Sequence, residues 1–178
     1  DAKGKPTYFS YDNVGNKISA TDANNHTTQY EYDAKNQMIT IADAAGGTSR
    51  FSYDANGNRI SVINPNSNTT NYQYDALDRL IKVIDPLGNA TQYGYDANGN
   101  VTSVTDARGR VARTEYDALN RLTRVTDALG NSTQYQYDAV GNRTGVINPN
   151  GARTTYTYDV LNRLIGEDDP LGNGPAYT

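Results

Sequence analysis

The chain has no cysteine and no tryptophan, and only one methionine and one histidine in 178 residues. Without cysteine there is no disulfide, no thiolate metal site and no thiol nucleophile, and redox chemistry says nothing about compartment. A single histidine, His26, leaves almost no room for a Ser-His-Asp constellation or a metal-His centre. Aliphatic residues are scarce too. Leu, Ile, Val and Phe together number 30, about 17% of the chain, a level that by itself points toward disorder. There is no uninterrupted apolar run of the roughly 18 residues a membrane helix needs. The 16 basic residues are scattered through a chain of net charge −4, so the basic stripe that nucleic acid requires is missing.

Tyrosine overrules the disorder reading. Fifteen tyrosines supply the missing apolar surface, each covering roughly 150–250 Å² when buried. They are also in phase. The dipeptide Tyr-Asp occurs eight times, beginning at Tyr11, Tyr32, Tyr53, Tyr74, Tyr95, Tyr116, Tyr137 and Tyr158, and every interval is 21 residues. Such a chain is a one-dimensional array. An array spreads its chemistry evenly and leaves no singular pocket for catalysis, so an enzyme is the weakest reading.

The expected organisation is a single array over residues 1–178, with a partial repeat at 1–10 and full repeats at 11–31, 32–52, 53–73, 74–94, 95–115, 116–136, 137–157 and 158–178. The first residue is Asp1, no signal peptide is recognisable, and no atypical capping repeat is visible. The segment therefore reads as part of a longer array.

Counting each Tyr of Tyr-Asp as position 1, two turn signals recur ten residues apart, as in "DALDR" and "DPLGN" of the fourth repeat. Asp opens each turn by accepting backbone N–H groups, Ala or Pro suits the second corner, and Gly supplies positive φ. The turn residues are thus Asp12, Gly15, Asp54, Gly57, Asp75, Asp85, Gly88, Asp96, Gly99, Asp117, Asp127, Gly130, Asp138, Gly141 and Asp159. Where Gly is absent the first turn has Asn36, Asp78, Asn120 and Asn162, and the second has Asn25 and Ser67. Asn and Asp tolerate the left-handed region best after Gly.

Between the turns lie two short strands. One carries apolar residues at position 8 (Ile18, Ile39, Ile60, Ile81, Ile165) and position 10 (Ile41, Val62, Val83, Val104, Val125, Val146). The other has an aromatic at position 20 and ends in the next Tyr. Of 17 aromatic residues, 16 fall on positions 20 and 1, with Thr114 the single lapse. Positions two apart share a strand face. The expected ladder is Tyr11, Tyr30, Tyr32, Phe51, Tyr53, Tyr72, Tyr74, Tyr93, Tyr95, Tyr116, Tyr135, Tyr137, Tyr156 and Tyr158, with Phe9 and Tyr177 at its ends, packed as core with positions 8 and 10. An odd repeat cannot keep both strands in face register through two identical turns. The turns must differ in effective loop length, or one must carry a bulge.

A 42-residue super-period overlies the 21. Odd repeats read Tyr-Asp-x-x-Gly-Asn, while the later even repeats carry leucines: Leu77, Leu80 and Leu87, then Leu119, Leu122 and Leu129, then Leu161, Leu164 and Leu171. This alternation predicts that even hairpins face a packing seam. The fold class expected is all-β, tandem hairpins in a coiled antiparallel meander (a spiral or solenoid), because long open sheets twist and curl.

The stretch "YDANGNRISVINPNSNTTNYQYDALDRLIKVIDPLGNATQYGYDANGN" resembles tandem RHS (YD) repeats, and the likeness extends over the whole chain. It implies a spiral of β-hairpins. In bacterial polymorphic toxins and insecticidal toxin complexes such a spiral closes into a cocoon around a C-terminal toxin. In teneurins it forms an extracellular barrel, and wall-associated relatives display it on the cell surface. The core-closing segment and autoproteolytic aspartates of the toxin members have no recognisable counterpart in these residues. Repeats of closed shells also vary in length, whereas these do not.

Candidate sites weigh toward structure. The Asp columns could form calcium ladders, but turn capping explains them with fewer assumptions. Sequons at Asn25, Asn68, Asn89, Asn100, Asn131 and Asn142 arise wherever a turn Asn precedes a strand Thr. No catalytic residue, cofactor or metal is expected. The leading function is a structural extracellular or cell-surface scaffold of bacterial type, with a helical fibre as one form of it. Its expected contacts are self-association or continuation of the repeat chain. The alternatives are a toxin-shell wall enclosing cargo and a glycan-binding adhesion module. No nucleic acid and no membrane span are expected.

Overall fold

A computed structural model describes residues 6–171. The start of the partial repeat at residues 1–5 and the end of the last repeat with Tyr177 lie outside the described residues. In sequence the chain divides into two compact units, Asp1–Ala90 and Thr91–Thr178.

The first unit contains β1 (Tyr8–Tyr11), β2 (Lys17–Thr21), β3 (Thr27–Tyr32), β4 (Met38–Ala42), β5 (Thr48–Tyr53), β6 (Arg59–Ile63), β7 (Thr69–Tyr74) and β8 (Leu80–Ile84). The second contains β9 (Ala90–Tyr95, its first residue still in the first unit), β10 (Val101–Thr105), β11 (Val111–Tyr116), β12 (Leu122–Thr126), β13 (Ser132–Tyr137), β14 (Arg143–Ile147), β15 (Arg153–Tyr158) and β16 (Leu164–Asp168). Within each unit strand order is chain order, and no helix forms among the described residues. The fold is an antiparallel meander of hairpins, all-β as the turn and strand signals require.

Every turn from Asp12 to Arg163 is the same loop. At the first, the Asp12 N–H donates to the Asn16 carbonyl at 2.9 Å, and the Gly15 N–H donates to the Asp12 carbonyl at 3.2 Å. This is a type I turn followed by a left-handed residue, the usual three-residue hairpin loop. The left-handed residue is Gly, or it is one of Asn25, Asn36, Ser67, Asp78, Asn120 and Asn162, with φ between 59° and 65°. These are the six substitutes that the turn pattern picks out.

With identical loops, parity is restored elsewhere. Beside each first turn the register slips by one: Tyr11 opposes Lys17, whereas Ser10 opposes Ser19. Ile18 is the extra residue of a β-bulge. The same slip recurs beside Tyr32, Tyr53, Tyr74, Tyr95, Tyr116, Tyr137 and Tyr158. Beside the second turns pairing is regular, as in Thr21 opposite Thr27 and Ala20 opposite Thr28. One bulge per repeat turns an odd period into a face-preserving one.

The bulge also corrects the expected face. Position 8 has no cross-strand partner, and Ile18, Ile60 and Ile165 are exposed. Position 7 takes its place opposite the Tyr: Lys17, Met38, Arg59, Leu80, Leu122, Arg143 and Leu164. Position 10 does oppose the position-20 ring, as in Tyr30 with Ile41, Phe51 with Val62, Tyr72 with Val83, Tyr93 with Val104 and Tyr135 with Val146. Each aromatic–aliphatic pair adds about 0.2–1 kcal/mol over an alanine pair.

The ladder is not a sealed core. Among the described residues no hydrophobic side chain is fully buried. The rings of Tyr30, Tyr32, Phe51, Tyr53, Tyr72 and Tyr74 are half-buried, while Gln29, Glu31, Arg50, Ser52, Asn71 and Gln73 between them are exposed. On β1 the rings are open to solvent, Tyr8, Phe9 and Tyr11 each being more than half exposed. Of the leucines of the even repeats, Leu77, Leu87, Leu119, Leu129, Leu161 and Leu171 sit exposed at turn tips.

Candidate functional site

Chemistry concentrates along the first turns, and it begins with the tyrosine hydroxyl. The bulge and the early end of pairing leave the position-7 carbonyl outside the strand ladder. The Tyr of the next repeat reaches back to it. Tyr32 donates to the Lys17 carbonyl at 3.0 Å, Tyr53 to Met38 at 2.8 Å, Tyr74 to Arg59 at 3.1 Å, Tyr137 to Leu122 at 3.0 Å and Tyr158 to Arg143 at 3.0 Å. Where the carbonyl is part-buried, as at Lys17, Met38 and Leu122, leaving it without a partner is costly, which favours Tyr over Phe at this position. Position 20 has no such duty and accepts Phe9 and Phe51. At the one aromatic lapse, the Thr114 hydroxyl donates to the Val101 carbonyl in place of the tyrosine.

Asp, the second half of the dipeptide, organises the loop. Asp12 Oδ1 accepts the N–H groups of Val14 and Asn16 at 3.0 and 2.8 Å, and Oδ2 accepts Asn16 Nδ2 at 2.8 Å. The later even repeats have Arg in place of that Asn: Arg79 Nε meets Asp75 Oδ2 at 2.7 Å, Arg121 meets Asp117 at 2.7 Å, and Arg163 meets Asp159 at 2.6 Å. The second turns repeat the scheme at Asp22, Asp85, Asp106 and Asp127. Asn64 and Asn148 substitute there, accepting the two backbone N–H groups through Oδ1.

These bonds hold the carboxyls below their ordinary range. The side-chain donor four residues on is the main cause at Asp12, Asp75, Asp85, Asp96, Asp106 and Asp127. At Asp22, Asp117 and Asp159 the backbone N–H of that residue leads. At Asp54 and Asp138 partial desolvation is the largest influence and pushes upward, but the combined hydrogen bonds still win. A carboxylate that accepts several donors favours its charged form.

The first turns are also tied to one another. Asn16 Nδ2 donates to Asn36 Oδ1 at 2.9 Å, and Asn58 Nδ2 to Asp78 Oδ1 at 2.6 Å. In the second unit Asn100 Nδ2 donates to Asn120 Oδ1 at 2.8 Å, and Asn142 Nδ2 to Asn162 Oδ1 at 2.9 Å. Every donor belongs to an odd repeat and every acceptor is the left-handed residue of the following even repeat. The 42-residue alternation of Gly with Asn or Asp is therefore a hydrogen-bond code between neighbouring hairpins.

On the ladder face, position-7 cations of odd repeats lie over the rings. Lys17 Nζ stands 4.6 Å from the Tyr30 centroid, and Arg59 is 5.5 Å from Tyr72 and 5.8 Å from Phe51. Arg143 is 5.1 Å from Tyr156. His26, 3.1 Å from Asp22 Oδ2, takes the role Asn plays in other second turns. Among the described residues no group of three or more His, Cys, Asp or Glu side chains could hold a metal ion. Of the sequon residues, Asn100 and Asn142 have amides engaged on both sides, by Asp96 and Asn120 and by Asp138 and Asn162.

Tandem hairpins with a Tyr-capped bulge and Asp-organised turns define an all-β repeat protein. RHS Repeat matches fall on residues 11–48, 53–90, 74–111, 116–153 and 138–173, and the chain belongs to the RHS repeat family. No curated protein matches it in sequence. Among solved structures it is similar to TcdB2-TccC3 (TM-score 0.72, 16% identity, 94% of this chain and 12% of that one). It is likewise similar to TcdB2-TccC3-TEV, with TM-score 0.71 and 16% identity over 94% of this chain and 11% of that one. A Tc holotoxin pore of Photorhabdus luminescens with mutated TccC3 gives TM-score 0.65 and 16% identity over 91% and 12%. The chain thus spans about a tenth of the length of these neighbours, and the likeness is one of fold.

Proposed function

We propose that this chain is a structural wall segment, a layer of RHS hairpins that encloses or supports other protein and catalyses no reaction on a substrate. One observation carries the reading: the recurrent polar groups of the repeat are spent on its own backbone and turns. The tyrosine hydroxyls cap bulge carbonyls, and the aspartates, asparagines and arginines close turns. A layer whose described apolar side chains are at best half-buried is suited to being completed by more protein. The shared fold with TcdB2-TccC3 favours a toxin-shell wall with enclosed cargo, in a secreted bacterial particle. The unvarying 21-residue spacing favours a second form, an extracellular fibre of stacked hairpins. A glycan platform fits less well, because Lys17, Arg59 and Arg143 already lie over the rings.

Electron microscopy of the native particle separates these forms. Closed particles of finite size are expected for the shell. Filaments of indefinite length would replace it with the fibre, and a dispersed monomer that binds oligosaccharide would overturn the structural reading.

A further inference from the structure

The dipeptide Asn-Gly occurs three times among the described residues, at Asn56–Gly57, Asn98–Gly99 and Asn150–Gly151, each on an exposed loop corner. Glycine's lack of a side chain lets its backbone nitrogen approach the preceding carboxamide more freely than any other residue's. In all three the Gly is left-handed, with φ of 96°, 91° and 81°, and its N–H bonds the carbonyl three residues back. The backbones are therefore equivalent, and the side chains are not. Asn56 Nδ2 donates to Asp78 Oδ1 at 2.9 Å, and Asn98 Nδ2 to Asn120 Oδ1 at 2.9 Å. Each carboxamide is tethered to the next hairpin. Asn150 lies in a second turn, where no such tie exists, and its carboxamide has no hydrogen-bond partner among the described residues.

We propose that Asn150–Gly151 is a self-modifying site, and that the inter-hairpin hydrogen bonds protect the two matching sites at Asn56 and Asn98. The Gly151 nitrogen, losing its proton, attacks Asn150 Cγ. The new N–Cγ bond closes a five-membered succinimide as the Cγ–Nδ2 bond breaks, and the nitrogen leaves as ammonia with the proton. Water then opens either ring carbonyl, giving aspartate or isoaspartate. No oxidant or enzyme is needed. The product adds one negative charge to a chain of net charge −4, and its isoaspartyl form inserts a backbone atom into the turn. The protective bonds end on Asp78 and Asn120, the same acceptors that Asn58 and Asn100 use, so the array shields these first turns and leaves this second turn open.

The test follows the folded full chain at mildly alkaline pH, reading each Asn-Gly peptide by mass spectrometry and by isoaspartate-specific enzymatic methylation. Asn150 is expected to convert several-fold faster than Asn56 and Asn98, and the three rates should converge in concentrated urea. Equal rates in the folded chain would overturn the proposal. Asp78→Gly removes the Asn56 acceptor and keeps a residue that suits positive φ. It should accelerate Asn56 several-fold while Asn98 stays slow, whereas an unchanged Asn56 rate would refute protection by the hydrogen bond. Should Asp78→Gly unfold the chain, Asn120→Gly tests Asn98 against a still-tethered Asn56: acceleration of Asn98 supports the protection, and an unchanged rate refutes it.

Discussion

At the first turn of a repeat the side chains of one hairpin reach the next, whereas at a second turn such as Asp85–Asn89 they bond only within their own loop. The loops themselves are indistinguishable in backbone hydrogen bonding. What separates the edges is the bulge, which exists only beside the first turn and frees a carbonyl for the Tyr hydroxyl. Sequence follows that division. The first-turn corner is Asp in all eight repeats, while the second-turn corner accepts Asn64 and Asn148. The same turn signal serves two purposes: one edge is interlinked and the other is a row of independent closures.

The largest blow to this contrast is a single deletion. Removing Ile60 abolishes one bulge and swings the aromatic row of every later repeat to the opposite face. Loss of cooperative thermal unfolding is expected by circular dichroism. Ile60→Thr keeps the bulge and changes only an exposed side chain that other repeats already carry as Thr102, Thr123 and Thr144, so its cost should stay within about 0.5 kcal/mol. A tolerated deletion would show that face register is not what the bulge protects.

Next in size is the hydroxyl. Tyr53→Phe strands the Met38 carbonyl and should cost about 1–2 kcal/mol in a urea melt. Tyr72, two strands along on β7, makes no side-chain hydrogen bond among the described residues, and Tyr72→Phe should lie within about 0.5 kcal/mol. Equal losses would remove the physical reason for tyrosine in the repeat.

The interlinking bonds come third. Asn58 serves both its own Asp54 and the next hairpin's Asp78, whereas Asn89 serves Asp85 alone. Asn58→Ala should therefore cost about 1–2 kcal/mol and Asn89→Ala about half that. A double-mutant cycle of Asn58→Ala with Asp78→Gly should return a coupling of about 0.5 kcal/mol or more, because the two groups touch. Strict additivity would mean that the ladder between hairpins holds nothing.

Much of this is legible in the residues, and the failures share one cause. Local chemistry reads directly: Asn25, Asn36, Ser67, Asp78, Asn120 and Asn162 occupy the loop position that Gly fills elsewhere, and all six have positive φ. Parity arithmetic likewise demands a bulge or unequal loops. It does not say which residue is extruded, so Ile18 and its equivalents read as ladder residues and Lys17 and its equivalents do not. The Tyr hydroxyl bond runs between positions 15 residues apart and emerges only once the bulge is placed. The leucine alternation suggests packing because leucine usually packs. The alternation that links hairpins lies instead in the neighbouring Gly, Asn and Asp, and its signal is the strict pairing of odd Gly-Asn with even Asn or Asp.

The smallest effect is electrostatic, and it tests the two edges at a single pair of residues. Eleven turn aspartates have carboxyls held below the ordinary value, from Asp12 to Asp159. A depressed folded value means that the charged form supports the fold. That support is complete above the unfolded value near 3.9 and is lost as pH falls through the lower folded values. The melting temperature should be level from neutral pH to about pH 5 and drop below about pH 4. At Asp85 an asparagine keeps Oδ1 for Leu87 and Asn89, as Asn64 does natively, so Asp85→Asn should lose little at neutral pH. At Asp75 the same change also breaks the 2.7 Å pair with Arg79, whose groups are both about three-quarters shielded, and the loss should be larger. Both deficits should shrink in acid, where the wild-type carboxyls are neutral as well. If Asp75→Asn and Asp85→Asn fall together at neutral pH, the two edges differ in geometry but not in energy, and the interlinked edge has no claim to be the stronger one.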